Sequence, residues 1–108
     1  MLNKSNRLTK RGSFTYVYNR GERKSRPPLS VVFVPAKQVR VGFSVPNKVG
    51  KAHVRNLLKR RLRSMVRELM PQIRSAQIVI AAKLGAEQLS YTELCKIVRE
   101  LLVRARLL

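Results

Sequence analysis

The stretch SAQIVIAAK, residues 75–83, constrains the fold more than any other part of the chain. Ile78, Val79 and Ile80 are contiguous, and successive side chains of a strand point to opposite faces, so both faces of this strand need apolar cover. It belongs inside a sheet. Two further β-branched runs, LSVVFVP (29–35) and VRVGFSVP (39–46), are separated by AKQ and are expected to pair as a hairpin. In the second run Val39, Val41, Phe43 and Val45 share one face and Arg40, Gly42 and Ser44 the other. One sheet face is therefore expected to pack on helices while the other stays more polar.

The helices are set by a different period. From Lys51, KAHVRNLLKRRLRSMVREL carries Val54, Leu58, Leu62, Met65, Val66 and Leu69 at steps of three and four, one side of a helix that runs to about Met70 and stops before Pro71. Arg55, Asn56, Lys59, Arg60, Arg63 and Arg67 fall in a neighbouring arc of about 140°, which faces solvent or an anion. Near the N-terminus, Phe14, Tyr16, Val17 and Tyr18 lie between Gly12 and Gly21, a length that suits a short helix with Phe14, Val17 and Tyr18 on one face. That face is either plain packing or an aromatic stacking edge beside Arg7, Lys10 and Arg11. GERKSRPP is a charged connection closed by two prolines, with room for a short strand near residues 21–25. Ser90-Tyr91-Thr92-Glu93 fits a capping box opening a last helix, with Leu94, Ile97, Val98, Leu101 and Leu102 on its apolar face. The expected class is α+β, an α/β sandwich: three helices on a central mixed sheet of three to four strands, α-β-β-(β)-α-β-α, in one domain spanning residues 1–108.

Charge narrows the function. The chain has 24 Lys plus Arg against five acids, a net +19, yet 44% of its residues are apolar, so it is a folded basic protein rather than a basic tail. Such a field opposes compaction unless a polyanion neutralises it, and nucleic acid is the first candidate. The excess is Arg-rich, and Arg grips phosphate bidentately. Aspartate is absent, and Glu22, Glu68, Glu87, Glu93 and Glu100 are scattered, whereas a two-metal nuclease needs clustered carboxylates. His53 is the only histidine and Cys95 the only cysteine, the latter read as a reduced core thiol among Leu94, Ile97 and Val98. No catalytic residue, metal ligand or cofactor site is assigned to this chain. MLNKSNRLTKRGSF is basic without a following apolar h-region, and no run approaches membrane-spanning length, so a cytoplasmic protein without a membrane partner is expected.

Three ordered motifs carry a resemblance that spans nearly the whole chain. NKVGKAHVRNLLKRRLR resembles the signature of the bacterial ribonuclease P protein subunit, in which K-x-G-x-A-x-x-R-N-R-x-K-R-x-x-R opens the long helix. NRLTKRGSFTYVYNRG is similar to that family's R-L-x-x-x-x-x-F-x-x-V-x-x-x-G, and RVGFSVPNKVG to its third strand. The resemblance implies a domain that binds a large catalytic RNA and the 5′ leader of precursor tRNA, with hydrolysis and Mg²⁺ belonging to the RNA and substrate. It also implies a left-handed strand–helix–strand unit around residues 39–83, against the usual right-handed rule. Carried over by position, it implies that Lys48, Lys51, Arg55, Asn56, Lys59, Arg60 and Arg63, with Arg67 from the same arc, face the RNA subunit. Arg7, Arg11, Phe14, Tyr18, Arg40 and Ser44 are expected in a leader cleft between the first helix and the open sheet face.

The chain departs from the pattern at two places. R-N-R is here Arg55-Asn56-Leu57, with Arg61 near Leu57 on the helical wheel. The family's strand aromatic in the cleft falls near Val32 or Phe33, and strand register decides which faces it. A ribosomal or ribosome-assembly RNA-binding protein is the alternative, since it shares small size and charge but needs no single-strand cleft. DNA is not an expected partner: a basic stripe beside a core face suits phosphate docking better than base-edge readout.

Overall fold

A computed structural model describes residues 7–8 and 11–108. The chain runs α1 (Arg11–Arg20), β1 (Glu22–Arg26), β2 (Leu29–Pro35), β3 (Arg40–Ser44), α2 (Ala52–Leu69), β4 (Ala76–Ala82) and α3 (Tyr91–Arg104). The short strand anticipated near residues 21–25 is β1. Gly21 ends α1 and turns the chain into β1 at very close quarters: its N–H donates to the Val17 carbonyl at 2.7 Å. A Cβ there would lie 2.5 Å from that oxygen and 2.8 Å from the Phe33 carbonyl oxygen, so only glycine fits.

The four strands form one mixed sheet in the order β1-β2-β4-β3. β4 is central, antiparallel to β2 and parallel to β3. Its apolar triplet is divided between two cores. Ile78 and Ile80 join Leu29, Val31 and Val41 against Leu58, Leu62, Met65 and Val66 of α2 and Leu94, Val98 and Leu101 of α3. Val79 joins Val32, Val34, Val17 and Leu8 on the opposite face, with Phe14 packed against them.

The expected hairpin between β2 and β3 does not form. β2 pairs with β1 across the Pro27-Pro28 turn, and β4 inserts between β2 and β3. Two strand spacings amount to about 9.5 Å, and the four-residue link 36–39 can span up to roughly 14 Å, so the chain steps over one strand without strain. Insertion gives Ile78-Val79-Ile80 a neighbour on each side, which an edge position would deny it.

α3 opens with the anticipated capping box. The Glu93 N–H donates to Ser90 Oγ at 3.1 Å, and the Ser90 N–H donates to Glu93 Oε1 at 3.1 Å. Hydrogen bonds from the Ser90 backbone N–H and then its hydroxyl hold the Glu93 carboxyl below its ordinary pKa. A depressed carboxylate pKa means the contribution is complete at neutral pH and fades as pH falls through the folded-state value. Ser90→Ala is expected to cost about 0.5–2 kcal/mol in urea unfolding at pH 7. The difference from the parent should shrink on acidification; a difference independent of pH would detach the cap from the carboxylate.

Candidate nucleic-acid interface

α1 lies across the sheet face away from α2 and α3, and the two ends of that face remain partly open. On that face Gly42 of β3, Val79 of β4 and Val32 of β2 lie in one row. Val17, fully buried, anchors α1 to it. Phe14, one turn earlier, reaches Gly42 with its ring tip. Residues 7 and 8 run beside the outer edge of β3: Arg7 bridges Val41 in parallel fashion, and the Leu8 N–H donates to the Val41 carbonyl at 3.0 Å. α2 closes the other side. The result is a groove of about 130 Å³ bounded by Arg7, Phe14, Gly42, Phe43, Lys59 and Arg63.

Three cations, Arg7, Lys59 and Arg63, therefore converge with Phe14 and Phe43 from four chain segments. Arg7 Nε is buried there without a hydrogen-bond partner. Among the described residues the ion pairs are Arg26–Glu100 at 3.2 Å and Arg104–Glu100 at 3.7 Å, both between β1 and α3 or within α3, away from this groove. Neither of these pairs engages a groove cation. No group of three His, Cys, Asp or Glu side chains among the described residues gathers to hold a metal ion.

A family model described as Ribonuclease P matches residues 2–106. The chain belongs to the ribonuclease P protein family. It is 42% identical to the ribonuclease P protein component of Symbiobacterium thermophilum, over 99% of this chain and 96% of the relative. It is 36% identical to that of a Picosynechococcus species, over 96% and 93%. The RNase P protein from Thermotoga maritima superposes with a TM-score of 0.83 at 26% identity, covering 91% of this chain and 96% of the other. The Staphylococcus aureus RNase P protein shares the fold, with a TM-score of 0.90 at 24% identity over 96% and 98% of the two chains.

In this chain the residues expected at the RNA subunit and at the leader are not spatially separate sets. Lys59 and Arg63 of the helical arc face the groove with Arg7 and Phe14, while Arg60 and Arg67 turn to the next side of α2 around Ser64. Ser64 accepts a hydrogen bond from the Tyr91 hydroxyl at 3.1 Å, which ties α3 to that side of α2. Arg55 is half-buried and its Nε donates to the Gly50 carbonyl at 3.1 Å, so part of its donor set serves the entry to α2. Lys48, Lys51 and Asn56 are exposed around the N-terminal end of α2, where no side chain caps the helix and no acid sits in the first turn. The helix dipole at this uncapped end favours an anion.

The expected leader-cleft residues disperse more than the spacing suggested. Tyr18 is exposed one turn beyond Phe14, with the Arg23 guanidinium 6.0 Å from its ring centroid. Arg40 lies on the same sheet face as Gly42 but lines a different hollow, with Lys37 and Gln77. Ser44 is half-buried at the other end of β3. Arg11 opens α1, and its side chain lies outside the described residues.

Register settles the strand position left open between two residues. Val32 points to the α1 side and is buried there, whereas Phe33 packs on the opposite, α2/α3 side. β2 thus offers this face an aliphatic floor rather than an aromatic platform. Leu57, standing where the family signature has its second Arg, is exposed, and Arg61 is half-buried. Cys95 is half-buried, and burial followed by the charge of Glu68 pushes its thiol pKa up, as suits an unreactive thiol.

Three residues of this surface, Gly42, Phe43 and Arg23, are not among the site residues expected from the sequence. Gly42 carried a signal: a glycine inside a β-branched run marks the close approach of another group. Arg23 carried none, because its meeting with Tyr18 depends on how α1 folds over β1.

Proposed function

We propose that, as a protein component of ribonuclease P, this chain holds the 5′ leader of precursor tRNA in the Phe14 groove and docks on the catalytic RNA through the exposed arc of α2. The observation that carries this is the convergence of Arg7, Phe14, Lys59 and Arg63 on one groove without a described carboxylate. A single strand offers what such a groove takes: backbone phosphates for the cations and an unpaired base for the ring. A folded ribosomal RNA partner needs no such combination. Hydrolysis and Mg²⁺ are assigned to the RNA subunit and substrate, because the Glu side chains here are dispersed. The protein's part is electrostatic: it lowers the repulsion between the phosphates of leader and catalytic RNA, and it fixes where the leader runs. No helix of the described residues is long and apolar enough to cross a membrane. The cytoplasm is the proposed compartment.

Phe14→Leu tests the leader assignment while keeping apolar packing against Val17, Val32 and Val79. In holoenzyme reconstituted with the RNA subunit, affinity for precursor tRNA should fall by about 1–3 kcal/mol, the worth of one lost stack. Mature tRNA carries no leader and its affinity should stay level. Equal loss for both tRNAs would place Phe14 in the scaffold instead.

A further inference from the structure

We infer that Gly42 is a positioning residue for leader binding: by lacking a side chain it seats the Phe14 ring against the sheet and keeps the groove open. This rests on the leader assignment of the Phe14 groove. A Cβ on residue 42 would lie 2.4 Å from Phe14 Cζ and 2.8 Å from Cε1, closer than such atoms approach. To reach ordinary contact, which begins at 3.4 Å, the ring tip must retreat by about 1 Å (3.4 − 2.4). It can retreat only away from the floor made by Gly42, Val79 and Val32, which carries it into or across a groove of about 130 Å³.

The backbone itself does not demand glycine here. Among the described glycines Gly85 has a left-handed φ, 107°, and Gly42 does not, so alanine at position 42 meets no conformational barrier. Nor do its strand neighbours need the space, since Val41 and Phe43 point to the α2/α3 side. The remaining close atom is the Leu8 carbonyl oxygen, at 3.1 Å, where a shift of a few tenths of an ångström suffices. A glycine inside a strand weakens it. Its presence where the ring tip meets β3 assigns it to the ring.

The test is a double-mutant cycle on reconstituted holoenzyme, with proteins carrying Gly42→Ala, Phe14→Leu or both. Gly42→Ala should weaken precursor tRNA binding about tenfold, the size of a lost stack, and leave mature tRNA within about twofold. Combined with Phe14→Leu it should add less than about twofold, because both changes remove the same contact. Its thermal midpoint, if lowered, should recover when Phe14→Leu is added, since the shorter side chain clears the new methyl. Additive effects, equal loss on both tRNAs, or a midpoint that stays low in the double variant would each overturn the inference. A neutral Gly42→Ala beside a damaging Phe14→Leu would overturn it while sparing the leader assignment. If Phe14→Leu is itself neutral on precursor tRNA, the leader assignment fails and takes the inference with it.

Discussion

Purified protein incubated with precursor tRNA and Mg²⁺ should release no leader, and adding the RNA subunit should restore cleavage. The contrast is expected to exceed about 10⁶-fold, the lower end of enzymatic rate enhancement. Protein-only hydrolysis of this kind places two ions between paired carboxylates, and this chain has no aspartate to pair. Its glutamates lie apart from one another, and three of the five are engaged elsewhere. Glu87 accepts the Gly85 N–H at 2.7 Å, Glu93 closes the α3 capping box, and Glu100 pairs with Arg26 and Arg104. Glu22 sits on β1 and Glu68 on α2. His53 is exposed at the start of α2 with no carboxylate described beside it to orient it as a base. Metal-dependent cleavage by nuclease-free protein alone would refute this division of labour.

The second large effect belongs to the arc of α2. Lys59→Ala, Arg63→Ala and Arg67→Ala combined should flatten the salt dependence of binding to the RNA subunit by up to about three units in the log–log slope, one for each phosphate no longer neutralised. A fourfold rise in salt would then narrow the gap between parent and variant by up to roughly 60-fold. The fold should survive, because none of the three is in either buried cluster and alanine is the best helix former. Arg55 is left out of the combination because its bond to Gly50 makes it part of the turn into α2. Binding to RNA with an unaltered slope and unfolding midpoints within about 0.5 kcal/mol of the parent would move the RNA surface off this helix.

The elements most legible in the sequence are those whose evidence is local. The buried stripe Leu58, Leu62, Met65, Val66 and Leu69 follows from a 3.6-residue period and needs no partner to be seen. The α3 cap spans four consecutive residues. The motifs around Arg7–Gly21 and Lys48–Arg63 placed the chain in its family through residue types at fixed spacing. What spacing did not show is that Lys59 and Arg63 would share a groove with Arg7 and Phe14, or that Arg40 would line a different hollow. Those side chains are 45 or more positions apart in the first case, and only the placement of α1 and residues 7–8 around β3 brings them together.

By itself the sequence determined that β4 is interior, that α2 has a core side and a cationic side, and that the chain carries no aspartate, five scattered glutamates and a net charge of +19. Each of these depends on composition or on a period read within one segment. Tertiary structure alone decided that β4 separates β2 from β3, that Val32 rather than Phe33 faces α1, and that Phe14 rests on Gly42. Alternation along a strand states which residues share a face. It does not state which edge pairs with which strand or which helix covers that face, because those choices are made by the joint burial of all the apolar surfaces at once.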